Sequence, residues 1–264
     1  MIRNASLDDL PALRDLFARA NDGPYDLSVV AFEKCFGDGV SGAPVTRVFL
    51  HDGAIAGAAT MCGKFLRILV VDRTHRRRGI GSALLADASP IVIAAEAGNY
   101  FTPGVVDSDA DTLQFFASHG YVETRSTFNL HAADLDTIEA PIGPRRVTEA
   151  DRDRVLDFIE REFGRIWRFE AARGVMFFLE IDHDIAGFSA HEANNRGLGW
   201  FGPTGVAKSM RNRGLGRQLL LASLADLRAL GHRRAIIAWT DALAFYAKAC
   251  GATPAHRFVT LQKP

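Results

Sequence analysis

Residues 205–221 read G-V-A-K-S-M-R-N-R-G-L-G-R-Q-L-L-L, and the rest of the chain is organised around this stretch. An apolar run from Leu198 to Val206 leads into it, and Arg211–Gly216 then forms an R-x-x-G-x-G loop. After the loop, leucines recur at the spacing of one helical face, at positions 215, 219, 220, 224 and 227. The pattern predicts a strand, a basic glycine loop and a helix. Because glycine allows close backbone approach and a helix N-terminus offers unpaired N–H groups, the loop predicts a phosphate-binding site.

The same pattern occurs earlier in the chain, at residues 69–85, which read L-V-V-D-R-T-H-R-R-R-G-I-G-S-A-L-L. The two copies align at a constant offset (214 − 79 = 135), which matches Arg76, Arg78, Gly79 and Gly81 with Arg211, Arg213, Gly214 and Gly216. A lone G-x-G is a weak signal, but two copies in register predict a duplicated domain. We therefore expect a first domain at residues 1–131, a linker at 132–144 and a second domain at 145–264.

Composition narrows the class of protein. A chain of 264 residues can form two domains that each bury a core. Lys+Arg 31 equals Asp+Glu 31, so no net field favours nucleic acid or an anionic membrane. Cys35, Cys62 and Cys250 are isolated and predict neither a disulfide framework nor a metal site. The sequence shows no secretory signal and no apolar run of about 18 residues, so we expect a cytoplasmic protein without a membrane partner.

The loops R-R-R-G-I-G and R-N-R-G-L-G resemble the acetyl-CoA pyrophosphate loop of the GNAT acetyltransferase superfamily, and so do the strand before and the Leu-Leu after each loop. The resemblance covers nearly the whole chain. It implies an α/β fold, built as an α+β mixed sheet of about six or seven strands in each half, with helices on both faces. It also implies two tandem acyl-CoA N-acyltransferase domains, with acetyl-CoA as cosubstrate and direct attack by a small primary amine in a ternary complex.

The resemblance assigns contacts with acetyl-CoA to both halves. In the second half these are Thr204, Gly205, Val206, Arg211, Asn212, Arg213, Gly214, Leu215, Gly216 and Arg217. In the first half they are Val71, Arg76, Arg77, Arg78, Gly79, Ile80, Gly81 and Ser82. In the family, the strand that enters the loop separates from its neighbour, and its free amides hold the pantetheine arm. Gly202 and Pro203 suit such a distortion, because Gly and Pro inside a strand mark bulges or edges.

Tyr246 is the candidate general acid. It lies in F-Y-A-K-A-C-G, which is similar to the F-Y-x-K-x-G helix whose tyrosine faces the thioester sulfur in the family. Here five steps separate the tyrosine from Gly251, where the family usually has four (251 − 246 = 5). The first half has Phe116 in the matching position, and phenylalanine cannot donate a proton. We therefore expect the second half to be catalytic and the first half to be degenerate in catalysis.

The sequence identifies the general base less clearly than the general acid. His191 and Glu192 end the strand before a hairpin tip, where either could reach an acceptor amine through water, or both could simply be solvated. Trp239 stands where many family members carry an asparagine that contacts CoA.

Two other functions compete with acetyl transfer to a general amine. One is a non-catalytic acyl-CoA-binding or scaffold protein. The other is acetylation of an amino sugar specifically, since Y-F-T-P-G-V at 100–105 and G-W-F-G-P-T-G-V at 199–206 resemble tandem GNAT modules beside β-N-acetylglucosaminidases. A nucleotide kinase is disfavoured, because neither loop carries G-K-[ST]. No spacing predicts the acceptor or the oligomeric state.

Overall fold

The computed structural model of the chain describes residues 1–20 and 22–264. The chain divides into two compact units: unit 1 comprises Met1–Thr127 with Arg257–Pro264, and unit 2 comprises Phe128–His256. No helix among the described residues is long and apolar enough to cross a membrane.

The first part of the chain builds most of unit 1. Its elements, in chain order, are β1 (Ile2–Asn4), α1 (Leu10–Ala20), α2 (Ala31–Phe36), β2 (Val45–His51), β3 (Ala54–Cys62), β4 (Phe65–Val71), α3 (Ile80–Ala88), β5 (Val92–Ile93), β6 (Val105–Val106), α4 (Ala110–Ser118) and β7 (Val122–Ala133). Local signals set several of these bounds. Pro90 cannot continue a helix, and α3 ends two residues before it, at Ala88. Gly120 adopts φ 84° just after α4, which is the backbone conformation expected of a glycine at a helix C-terminus.

The second part of the chain builds most of unit 2. Its elements are β8 (Arg145–Arg146), α5 (Glu149–Phe163), α6 (Arg165–Ala171), β9 (Val175–Ile181), β10 (Asp184–His191), β11 (Trp200–Val206), α7 (Leu215–Ala229), β12 (Arg234–Thr240), α8 (Leu243–Cys250) and β13 (Thr253–Gln262). Thr148 and Asp151 form a capping box at the start of α5, which fixes where this helix begins.

The strands of the two units follow the same order. In unit 1, neighbouring strands follow β1-β2-β3-β4-β5-β13, with β6 also paired to β13. In unit 2 they follow β8-β9-β10-β11-β12-β7. In each unit one central pair is parallel, β4 with β5 and β11 with β12, and the other registered pairs are antiparallel. The predicted mixed α/β fold is therefore confirmed.

The last strand in each of these two orders, β13 in unit 1 and β7 in unit 2, comes from the other sequence repeat. Leu261 and Gln262 of β13 pair with Ile93 and Val92 in unit 1. The end of β7 pairs with β12 in unit 2, with Leu130 opposite Ile237. Each compact unit therefore combines residues from both predicted repeats.

The segment predicted as a linker begins inside β7 and continues into a packed turn. Leu135–Thr137 forms a short 3-10 helix, and the side chains of Leu135 and Ile138 are buried in the core of unit 2. Arg228 of α7 fixes this turn by donating to the carbonyl oxygens of Asp136 and Ile138, at 3.2 and 2.7 Å.

Candidate active site

The parallel strands β11 and β12 separate at their carboxyl ends. They pair only at Trp200↔Ile236 and Phe201↔Ile237. Beyond this point β11 stays on β10 as far as Val206, while β12 bulges at Trp239, whose φ is 48°. Gly202–Val206 therefore leaves one edge without a strand partner among the described residues, as the sequence predicted for this segment. Unit 1 repeats the arrangement, because β4 and β5 pair only at Phe65↔Val92 and Leu66↔Ile93.

The bulge in β12 is held by a residue that the sequence did not single out. The backbone N–H of Trp239 donates to the side-chain oxygen of Asn129 at 2.9 Å, and Asn129 is buried on β7. Asn129 lies between Phe128 and Leu130 in a strand that is otherwise rich in polar residues, so no signal in the sequence indicated this contact.

The glycine loop of unit 2 presents free amides at the start of α7. Gly214 is the N-cap residue with φ 77°, and Asn212 has φ 63°. Because the helical hydrogen bond from Gln218 N to Gly214 O, at 3.3 Å, begins the ladder, the N–H groups of Leu215–Arg217 have no acceptor within the helix. They lie at the positive end of the helix dipole, so the loop can hold an anion.

The loop of unit 1 has the same backbone. Gly79 has φ 80° and Arg77 φ 61°, and the ladder of α3 begins with Ala83 N to Gly79 O at 2.9 Å. Arg76 donates from Nε to Val71 O at 3.1 Å, and Arg211 donates to Val206 O at 3.3 Å in the same way. The predicted equivalence of the two loops therefore extends to side-chain contacts.

The two loops differ in charge. In unit 1, Asp22 forms ion pairs with both Arg73 and Arg76, and its carboxylate lies 2.5 Å from Arg76 Nη1. These ion pairs neutralise part of the positive charge of the loop. In unit 2, the described residues include no acidic side chain paired with the loop cations Lys208, Arg211, Arg213 and Arg217. The second loop is therefore the more electropositive of the two.

A helix packs against each loop and carries the residue that distinguishes the units. A Cβ added at Gly216 would lie 3.5 Å from the ring of Phe245 on α8. A Cβ added at Gly81 would lie 3.5 Å from the ring of Phe115 on α4. The next residues, Tyr246 and Phe116, therefore occupy equivalent positions, as predicted.

Tyr246 lies beside the point where β11 and β12 separate. Its ring is buried and meets Phe201 edge-on, with 6.3 Å between centroids, and Phe201 is the last residue of β11 that pairs with β12. Burial raises the pKa of the phenol, so it keeps its proton at neutral pH. α8 continues to Cys250 and ends at Gly251, whose φ is 68°. The extra residue between Tyr246 and the glycine therefore lengthens the helix at its end.

Phe116 fills the same position with an apolar core side chain. It packs against Phe115 and Tyr121, at centroid distances of 5.1 and 5.7 Å. The nearby phenol of Tyr121 is committed elsewhere, since its hydroxyl donates to Pro90 O at 2.7 Å.

The two predicted base candidates have other partners. The Glu192 carboxylate accepts hydrogen bonds from the backbone N–H groups of Gly197, Gly199 and Trp200, the last two at 2.9 and 3.2 Å. The fully buried His191 ring contacts Asp226 of α7, with 2.8 Å between Nε2 and Oδ2. Both groups thus stabilise the hairpin tip and its packing on α7, and this geometry does not favour a role as general base.

Aromatic side chains cover the outer end of the separated strand. A Cβ at Gly205 would lie 2.5 Å from the ring of Phe163, so only glycine fits beneath this ring. Trp167 stacks on Phe163 with 5.1 Å between centroids and 19° between planes. The sequence predicted that the backbone of Gly205 contacts acetyl-CoA. It did not predict that Gly205 packs against Phe163.

Two family models match the chain in tandem. The model described as "Acetyltransferase (GNAT) domain" matches residues 39–132, and the model described as "Acetyltransferase (GNAT) family" matches residues 136–252. A search of curated proteins finds no matching relative.

Solved structures give fold-level likeness over the whole chain. The tandem GNAT protein from the clavulanic acid biosynthesis pathway has a TM-score of 0.74 at 20% identity, covering 99% of this chain and 97% of that one. A GCN5-related N-acetyltransferase from Sphaerobacter thermophilus has a TM-score of 0.69 at 20% identity, with 100% and 95% coverage. The glucosamine N-acetyltransferase region of a fungal multi-domain GH3 β-N-acetylglucosaminidase has a TM-score of 0.76 at 16% identity; 99% of this chain is covered, and it spans 38% of that protein. At these identities the likeness shows the fold alone.

Proposed function

Since the chain belongs to the GNAT acetyltransferase family, as a tandem member with two such domains, we propose that unit 2 is an acetyl-CoA-dependent N-acetyltransferase. It moves the acetyl group to the primary amine of a small molecule by direct attack in a ternary complex. The observation that carries the proposal is the phenol of Tyr246, which lies on the helix packed against the loop and beside the separated strands.

The loop of unit 2 binds the diphosphate of acetyl-CoA in this proposal. The N–H groups of Leu215–Arg217 donate to phosphate oxygens, and the guanidinium groups of Arg213 and Arg217 neutralise their charge. The absence of a paired carboxylate around this loop, among the described residues, favours anion binding here. The free edge of Gly202–Val206 offers amides to the pantetheine arm and to the thioester carbonyl. A donor of that kind contributes about 10²–10³ in rate.

The transfer requires two proton movements. An ammonium of pKa about 10.4 must lose a proton before it attacks, and the leaving thiolate, of pKa about 8.5, must gain one. Tyr246 supplies the second proton, because its neutral phenol can donate to the leaving sulfur, and the phenolate then regains a proton from solvent. With Glu192 and His191 committed to other partners, the amine gives up its proton to water rather than to a side chain of this hairpin.

Tyr246→Phe tests the acid. The change removes one oxygen and keeps the ring that packs on Phe201 and Phe245, so the fold and acetyl-CoA affinity stay the same while kcat falls at least about tenfold. The assay follows thiol release from acetyl-CoA with a panel of small amines, and calorimetry measures acetyl-CoA binding.

Tyr121→Phe is the matched control, because it also removes a buried phenol oxygen but in unit 1. Its kcat equals that of the wild type, whereas stability falls by about 1 kcal/mol. Equal kcat for Tyr246→Phe and the wild type would remove Tyr246 from the mechanism. Acetyl-CoA binding without thiol release from any amine would instead support the non-catalytic binding protein.

An amino sugar is the second candidate acceptor. Two sequence stretches and the fold likeness to a fungal glucosamine N-acetyltransferase region support it. The amine panel therefore includes glucosamine. A higher kcat/KM for glucosamine than for alkyl amines would support an amino sugar as the acceptor.

A further inference from the structure

A buried ion pair bridges the separated strands of unit 1. Arg67 is the first residue of β4 beyond the last pair with β5, and Glu96 follows the end of β5 by three residues. Arg67 donates from Nε and Nη2 to the two carboxylate oxygens of Glu96, at 2.6 and 2.9 Å. The side chains are 0% and 2% exposed, so the pair lies in the interior where the strands part.

The ion pair belongs to a larger buried network. Arg67 Nη1 also donates to the carbonyl oxygens of Lys34 and Gly37, at 3.1 and 2.8 Å. The Lys34 ammonium, itself fully buried, donates to the side-chain oxygen of Asn99 at 2.8 Å and to the carbonyl of Tyr100 at 2.9 Å. The network ties β4 to the end of α2 and to the segment after β5, so each buried charge has hydrogen-bonding partners.

The matching place in unit 2 carries no such side chains. Register aligns Leu66 with Phe201 and Ile93 with Ile237, which puts Gly202 at the position of Arg67 and Thr240 at that of Glu96. Apart from its own residue and its two chain neighbours, no heavy atom of the described residues lies within 4 Å of a Cβ built at Gly202. The charged pair that fills the gap in unit 1 thus has no counterpart at these two positions of unit 2, and the space beside Gly202 is open.

We propose that Arg67 and Glu96 close unit 1 to a thioester and an amine, and that this closure, beyond the absence of a phenol at Phe116, prevents transfer there. The chain then has one transfer site, beside Gly202. This inference rests on the proposed function, because the separated strands are where the acetyl group would lie. Removing either charge would leave the other buried without its partner.

The first test restores the missing phenol. Phe116→Tyr is combined with Tyr246→Phe, and thiol release is measured with the amine that the wild-type chain acetylates fastest. The rate of the double variant stays within about twofold of the rate of Tyr246→Phe alone, because Arg67 and Glu96 keep the thioester and the amine away from the added hydroxyl. Recovery to a tenth of the wild-type rate would overturn the inference. The wild-type rate is measured first, so failure of the proposed function would appear separately as absence of any transfer.

The second test uses the wild-type chain and does not depend on the folding of a variant. The ligand is a stable conjugate, CoA-S-CH2-C(O)-NH-R, in which the CoA sulfur is bonded as a thioether to the methylene carbon of an acetamide of that same amine. Native mass spectrometry and calorimetry give one conjugate per chain, and Gly214→Glu abolishes its binding. Gly231→Glu, at an open glycine of φ 96° just beyond the other end of α7, serves as the matched control and binds as the wild type does. Two conjugates per chain, or one that survives Gly214→Glu, would overturn the inference.

Discussion

Tyr246 and Phe116 differ by one oxygen atom at equivalent positions, and that oxygen carries a proton that the side chain of Phe116 lacks. Both rings are buried, and each packs next to a phenylalanine on its own helix at nearly the same angle, 72° and 71°. The sequence predicted this contrast because both residues lie at recognisable spacings from a glycine. It did not predict the partners of Glu192 and His191. The residues after them are polar and predict a solvent-exposed hairpin tip, whereas much of this hairpin is buried.

Glu192→Gln tests the structural role of this residue. The carboxylate stabilises the hairpin tip through backbone N–H groups, so loss of its charge lowers the free energy of unfolding by about 1–3 kcal/mol. Denaturant unfolding measures this, and the pH profile of kcat/KM keeps its wild-type shape. Glu139→Gln, at an exposed carboxylate, is the control and changes stability by less than about 0.5 kcal/mol. A profile that loses an ionisation in Glu192→Gln would return this residue to the mechanism.

His191 makes unit 2 sensitive to acid. Burial is the largest effect and lowers the pKa of its imidazole, although contact with Asp226 opposes it. Below about pH 6.5 the unfolded chain binds a proton that the folded chain disfavours, so the free energy of unfolding falls as the pH drops. Burial lowers the pKa of His131 and His256 too, so all three histidines contribute to the slope.

His191→Gln isolates the share of this histidine. Unfolding by urea between pH 8 and pH 5.5 shows a smaller loss of stability on acidification in His191→Gln than in the wild type. Asp9 does not interfere, because hydrogen bonds from Arg3 lower its pKa to about 2 and its contribution is lost only in stronger acid. Identical slopes for the two proteins would show that His191 is not the titrating group.

At the scale of the element, local chemistry determined most boundaries. The cap at Thr148 and the break at Pro90 act within a few residues, so the ends of α5 and α3 could be predicted from the sequence. The exchange of β7 and β13 could not, because nothing in a strand's own sequence specifies which sheet edge it pairs with. The Arg67–Glu96 pair was missed for a related reason: its partners are 29 residues apart and become neighbours only through the fold.

The exchanged strands predict a crossed pattern of destabilisation. Leu261, from the second repeat, is buried in the core of unit 1, and Leu130, from the first repeat, is buried in the core of unit 2. Leu261→Ala therefore lowers amide-exchange protection of Leu66 and Ile93, and Leu130→Ala lowers that of Ile236 and Ile237, each by about 2–5 kcal/mol. Hydrogen exchange read by mass spectrometry checks this. If each variant instead weakened the unit of its own repeat, the exchange would be contradicted.

At the scale of the whole molecule, the two repeats have produced two units of the same strand order whose corresponding positions carry different side chains. Unit 1 keeps the loop backbone but pairs its arginines with Asp22, places Phe116 where the phenol would be and fills its strand gap with Arg67 and Glu96. Unit 2 keeps an unpaired basic loop, among the described residues, and an open glycine at the strand gap. The duplication was predictable because it repeats in register, whereas the closure of one copy depends on contacts that only the folded chain makes.

Calorimetric titration with acetyl-CoA tests the central claim, that the loop of unit 2 holds this substrate, most directly. The wild type binds, and Gly214→Glu weakens the affinity at least about tenfold, because it adds a negative charge and a side chain at the N-terminus of α7. Gly231→Glu places the same side chain at another glycine of positive φ and binds as the wild type does. Absence of heat with the wild type, or equal affinity for Gly214→Glu, would contradict the account.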